Sequence, residues 1–91
     1  MPQPPIRVAA LYRFARFDDP AACRDMLEQA CRAHGIRGTL LLAAEGINGT
    51  IAGTPDAIDA VLAEIRRLPG CADPDVKFSG AAAMPFHRLK V

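Results

Sequence analysis

Two histidines, three cysteines and one glycine-rich segment are the residues here whose types suit chemistry. His34 and His87 are the natural candidates for proton transfer near neutral pH. Neither stands beside a serine or cysteine in a nucleophile motif, and no Gly-x-Ser-x-Gly occurs. His34 falls at the end of a predicted helix, where a cation complements the dipole, so its reading is structural. His87 lies between Phe86 and Arg88 in a basic stretch, which suits a surface contact. Cys23, Cys31 and Cys71 are odd in number and irregular in spacing, unlike a disulfide framework. None has another cysteine within four residues, as a zinc site requires. Cys23 and Cys31 stand roughly 12 Å apart along one helix, too far to bridge, and fall on its apolar stripe. Cys71 follows Pro69-Gly70 in a loop, where exposure is expected. No catalytic residue, metal site or cofactor is expected for this chain.

The segment Gly46 to Gly53 lacks the Lys-Ser/Thr of a P-loop and the Gly-x-Gly-x-x-Gly spacing. It reads as a hairpin turn over Glu45 to Gly49, with Asn48-Gly49 supplying positive φ angles. Glu45 and Asn48 are candidate loop contacts, because their polar ends would flank exposed backbone amides. Acyl-phosphate hydrolysis would need an anion-cradling loop after the first strand, with an arginine over it. The loop Ala15-Arg16-Phe17-Asp18-Asp19 has two acids and no glycine, which argues against that activity. Stacking of RNA bases would need aromatics on central strands. Residues 39–43 and 49–53 contain none, so RNA contact is expected through charge and backbone.

These residues must be positioned by a small core. Ninety-one residues allow one domain, and 51% hydrophobic with 23% charged residues is a globular composition. The net charge of +1 excludes a globally basic nucleic-acid binder and leaves only a local patch for that role. Ile6 to Phe14 alternates, with Val8, Ala10, Tyr12 and Phe14 on one side and Arg7, Ala9, Leu11 and Arg13 on the other. Asp19-Pro20 starts a helix running to about His34, with Glu28 and Arg32 as a helix pair and Gly35 as its left-handed end. Arg37 to Ala44 is a second strand, and Thr50 to Ala52 belongs to a third, antiparallel to it. Thr54-Pro55 starts a second helix to about Leu68, striped by Ile58, Val61, Leu62, Ile65 and Leu68. Asp75 to Phe78 is a short fourth strand. Ser79 to Met84 reads as a small-residue loop, and Phe86 to Val91 as a further strand or an outgoing linker.

The order β, α, β, β, α, β predicts an α+β, ferredoxin-like βαββαβ sandwich. Its four-stranded antiparallel sheet would have strand order 4-1-3-2, with both helices on one face. The uncovered face, with Arg13 and Lys77 as expected residents, is where a partner would dock. The expected limits are a disordered tail at 1–5, the domain at 6–80 and a C-terminal segment at 81–91. The proline-rich start has no apolar run of a signal peptide, and no segment is apolar enough for a bilayer. A cytoplasmic protein without membrane association is therefore expected.

Three motifs carry a resemblance beyond this. Glu45-Gly46-Ile47-Asn48-Gly49-Thr50 within its apolar flanks, Pro85-Phe86-His87-Arg88-Leu89-Lys90-Val91, and Leu11-Tyr12-Arg13-Phe14 with Asp18-Asp19-Pro20 occur in order. Together they resemble the N-terminal domain of the rhodanese-related tRNA uridine hydroxylases. The resemblance implies an acylphosphatase-like fold and membership of an oxidoreductase that hydroxylates the tRNA wobble uridine at carbon 5 with molecular oxygen. It also implies a following rhodanese domain that holds the catalytic cysteine, so none of the cysteines here inherits that role. His87 stands where the family commonly has lysine. The implied partners are tRNA, through the full-length protein, and the rhodanese domain. Independently of the resemblance, the cluster of Arg88 and Lys90 at the end of an otherwise neutral chain, with the residents of the uncovered face, makes Arg13, Lys77, His87, Arg88 and Lys90 the candidate contacts for RNA or for packing on the rhodanese domain. A structural or dimerisation module without RNA binding is the alternative.

Overall fold

In a computed structural model, residues 4–91 are described. β1 (Ile6–Phe14) leads into α1 (Pro20–Ala33), whose first turn is closed by the Asp19 carboxylate accepting from the Ala22 amide at 3.1 Å. Pro20 needs no amide partner and so suits this first position. Gly35, at φ 67°, ends the helix as expected, and the Ile36 amide donates back to the Cys31 carbonyl at 2.9 Å. β2 (Arg37–Ala43) and β3 (Gly46–Gly53) form the hairpin, and α2 (Pro55–Arg66) follows, capped by the Thr54 hydroxyl. β4 is Asp75–Ala81 and β5 is Leu89–Lys90.

The sheet order is β4-β1-β3-β2-β5. Its first four strands reproduce the expected 4-1-3-2 order and are mutually antiparallel. The expected four-stranded antiparallel sheet is nevertheless corrected to five strands and a mixed sheet, because β5 pairs parallel to β2. The Gly38 amide donates to the Arg88 carbonyl at 2.9 Å, which adds to this pairing. The physical reason is the free edge of β2, whose unpaired amides and carbonyls are met by the returning chain. Two neighbouring expectations shift with it. Ser79 to Ala81, expected as loop, extends β4, and the 81–91 segment contributes a strand whose Leu89, with Val91, packs against the core. Of the expected tail, residues 1–3 lie outside the described residues, whereas Pro4 lies over Gly80.

Alternation sorts the side chains of the sheet. Ala9 and Leu11 of β1, Leu40 of β2, and Ile47 and Ile51 of β3 are buried toward the helices. They meet Leu27 and Cys31 of α1 and Ile58, Val61, Leu62 and Ile65 of α2. The stripe expected for α2 is buried along its whole length, including Leu68 beyond its end. On α1 the periodicity of Cys23, Met26, Leu27, Ala30 and Cys31 predicts a broader stripe than the one found: Leu27 and Cys31 are buried, whereas Met26 is exposed. The ion pair of Arg7 with Asp59, at 3.1 Å, ties β1 to α2 at the rim of this core.

Gly38, Gly46 and Gly49 are strand residues with φ of 123°, 151° and 153°. A side chain at these positions would run into the carbonyl oxygens of Thr50, Arg13 and Thr39 on the adjacent strands. Glycine is required by this close approach of backbone to backbone. The turn expected over Glu45 to Gly49 is accordingly shorter. β3 already starts at Gly46, and Asn48 is a strand residue without positive φ.

Candidate functional site

Among the described residues, no helix covers the other face of the sheet, which displays every second residue of its strands. On β1 these are Val8, Ala10, Tyr12 and Phe14, because Ala9 and Leu11 are buried on the other side. Register then assigns the neighbours. Leu41, Asn48, Tyr12 and Asp75 form one row across β2, β3, β1 and β4. Lys90, Thr39, Thr50, Ala10 and Lys77 form the next, across all five strands. The two lysines thus mark opposite margins of one face, about 19 Å apart at four strand spacings.

Phe14 is 83% exposed, Tyr12 53% and Leu41 56%. The Tyr12 and Phe14 rings meet edge to face, 6.4 Å between centroids and 70° between planes. A shallow hollow of about 540 Å³ lies against them, bordered by Leu41, Ala43, Glu45 and Asn48. A second hollow adjoins it through Tyr12 and Asn48 and reaches Asp75 and Lys77.

The residues singled out in the sequence fall into separate places. Glu45 and Asn48 share the hairpin end of the open face, Glu45 in the turn and Asn48 on β3. His87 and Arg88 line a recess with Arg32 and Arg37 at the other end of β2. The seven residues of β2 span about 20 Å between these ends. Lys77 lies on the open face as expected. Arg13 does not: it shares the helix-side alternation of Leu11, and its Nε donates to the Gly70 carbonyl at 3.0 Å. The guanidinium there closes the loop after α2 and tops the core.

Two features of this surface escaped the sequence reading. The arginines Arg32 and Arg37 join the basic recess only because the end of α1 and the start of β2 meet the returning C-terminal segment. The aromatic pair escaped because the search for stacking residues covered only the second and third strands. In the observed order β1 is interior as well, between β4 and β3, and it bears Tyr12 and Phe14. The signal was present in the alternation of Ile6 to Phe14 combined with the 4-1-3-2 order.

The remaining chemical candidates have structural places. Cys31 is fully buried, and that burial, with a smaller contribution from Glu28, raises its thiol pKa from 9.0 to about 11. Cys71, expected in an exposed loop, is fully buried instead, because its amide donates to Leu68 and folds the loop onto the core. Burial raises its pKa too, opposed by Arg13 and assisted by Cys23. Raised thiol pKa values disfavour the nucleophilic thiolate. The loop after β1 is likewise engaged: the Ala15 and Phe17 amides donate to the carbonyls of Glu45 and Ala44, both at 3.0 Å. Two amides that an anion-cradling loop would offer are therefore committed to the hairpin.

Comparison with known proteins agrees with this architecture. An acylphosphatase from Bacillus subtilis superposes with a TM-score of 0.71 at 11% identity, covering 94% of this chain and 97% of that one. Full-length HypF matches with a TM-score of 0.59 at 15% identity, over 99% of this chain and 12% of that one. At such identities the likeness is one of fold. In sequence, the tRNA uridine(34) hydroxylase of Caulobacter vibrioides is 64% identical over 85 residues, which are 93% of this chain and 27% of that protein. The tRNA uridine(34) hydroxylase of Gluconobacter oxydans is 58% identical over 87 residues, 96% of this chain and 28% of that protein. The chain thus spans little more than a quarter of the length of these curated relatives. Among the described residues, no helix is long and apolar enough to cross a membrane. The model of the UPF0176 acylphosphatase like domain matches residues 6–91, from the first residue of β1 through β5, and the chain belongs to that family.

Proposed function

We propose that this chain is a non-catalytic N-terminal part of an oxygen-dependent tRNA wobble-uridine 5-hydroxylase, where it helps hold the tRNA. The observation that carries the proposal is the 64% identity to a tRNA uridine(34) hydroxylase, confined to 27% of that protein's length. The chemistry then belongs to the remaining part, for which the sequence resemblance implies a rhodanese domain. Further support comes from the buried thiols and from the loop amides already committed to the hairpin. The recess of Arg32, Arg37, His87 and Arg88, with Lys90 beside it on β5, gives an almost neutral chain a local basic surface for phosphates.

Binding of tRNA by the full-length protein tests this. Arg88→Ala with Lys90→Ala should weaken binding several-fold at low salt and flatten its salt dependence. Unchanged affinity and unchanged salt dependence would remove tRNA from the role of this part. A second reading, an interaction module that dimerises through the open face, is favoured by the exposure of Phe14 and Leu41. Sedimentation separates the two, since a concentration-dependent dimer that binds no tRNA supports only the second.

A further inference from the structure

We propose that Tyr12 and Phe14 on β1 form a stacking platform for the bases of single-stranded RNA, with Lys77 and Lys90 holding phosphates at the margins of the same face. The proposal rests on the tRNA-binding role above and assigns that role a surface and a kind of contact.

Position is the first reason. β1 is an interior strand between β4 and β3, so Tyr12 lies in a row that crosses four strands, with Phe14 beside it at the hairpin end of the same strand. Folding buries aromatic and aliphatic side chains wherever it can, yet Phe14 is left 83% exposed and Tyr12 53% exposed. Their edge-to-face contact orients the two rings while most of Phe14 remains open to solvent. Planar bases stack on such faces without regard to sequence.

The surroundings select nucleic acid over protein. Asn48 lies in the Tyr12 row and borders the same hollow. Its amide offers both a donor and an acceptor, the combination needed for the edge of a base. The adjacent row runs from lysine through Thr39, Thr50 and Ala10 to lysine. Lysine is depleted from protein–protein interfaces, whereas cations beside stacking aromatics are the ordinary composition of a single-strand groove. The acids of this face stand at its corners, Asp75 at the β4 end of the Tyr12 row and Glu45 in the hairpin turn. They repel phosphates there and favour a strand running along the line between the lysines.

The chain has one tyrosine and no tryptophan, so its intrinsic fluorescence reports Tyr12 alone. Titration with a short oligouridylate should quench that emission, and a ribose-phosphate oligomer of equal length without bases should not. Phe14→Ala should weaken oligouridylate binding about tenfold, with Phe14→Tyr restoring it. Lys77→Ala with Lys90→Ala should reduce the salt dependence of binding. If both oligomers bind equally and leave the emission unchanged, stacking is overturned, and tRNA binding through the basic recess still stands. If neither this chain nor the full-length protein binds tRNA, both readings fall together. If the emission changes with protein concentration and sedimentation shows a dimer, the shelf is a protein contact and the proposal is overturned.

Discussion

The two faces of the sheet are built from the same strands and follow opposite rules. Toward the helices, Ala9, Leu11, Leu40, Ile47 and Ile51 are all within 4% of complete burial. One residue along the chain, Tyr12 and Leu41 are more than half exposed. A strand alternates sides at every residue, so one nine-residue segment supplies both the core and the exposed aromatic shelf. Stability is concentrated on one face, and the other is left to carry contacts that folding does not need.

The largest expected effect tests the covered face. Ile58 is fully buried on α2, and Ile58→Ala should cost about 2–5 kcal/mol in chemical denaturation. A loss near zero would mean that α2 is not packed on this sheet. Next comes the backbone between the faces. Gly49→Ala places a methyl against the Thr39 carbonyl at φ 153° and should cost at least ~2 kcal/mol, measured the same way. A tolerated alanine would show that β2 and β3 do not approach so closely.

Protonation gives a smaller effect on the covered face. Burial raises the Cys31 pKa in the folded state from 9.0 to about 11, so the folded state retains the proton longer than the unfolded chain. That contribution is complete below pH 9.0 and is lost as the pH rises toward about 11. Its full size is on the order of 2–3 kcal/mol. Cys31→Ala should flatten that alkaline decline in a denaturation series over pH, and an unchanged slope would assign the decline to other groups. The smallest effect belongs to the open face. Phe14→Ala should change stability by less than about 0.5 kcal/mol. A cost comparable to that of Ile58→Ala would show the shelf to be covered in solution, and the contrast between the faces would collapse.

Local chemistry made most of the fold legible. Asp19-Pro20 and Thr54-Pro55 mark helix starts through amide capping, and both side chains cap as the sequence implies. The period of α2 was readable because Ile58, Val61, Leu62 and Ile65 recur at helical spacing, and a helix can bury only one stripe. The segment around Glu45 was harder. Glycine and asparagine are turn residues in most settings, yet Gly46 and Gly49 serve here to let strands approach. That need depends on the neighbouring strand, which no local pattern contains. Cys71 was misplaced for a similar reason: whether a loop folds inward depends on what it meets, here the core beyond Leu68 and the Arg13 guanidinium over Gly70.

The candidate site divides along the same line. Which residues alternate to which side of β1, and which are basic near the C-terminus, followed from residue order, because side-chain direction and charge are local properties. Which strand is central, that β5 closes the β2 edge, and that Arg32 and Arg37 join His87 and Arg88 required the assembled sheet. These are contacts between segments far apart in the chain. They are decided by which free edge and which apolar surface remain once the core has formed, and only the tertiary structure holds that information.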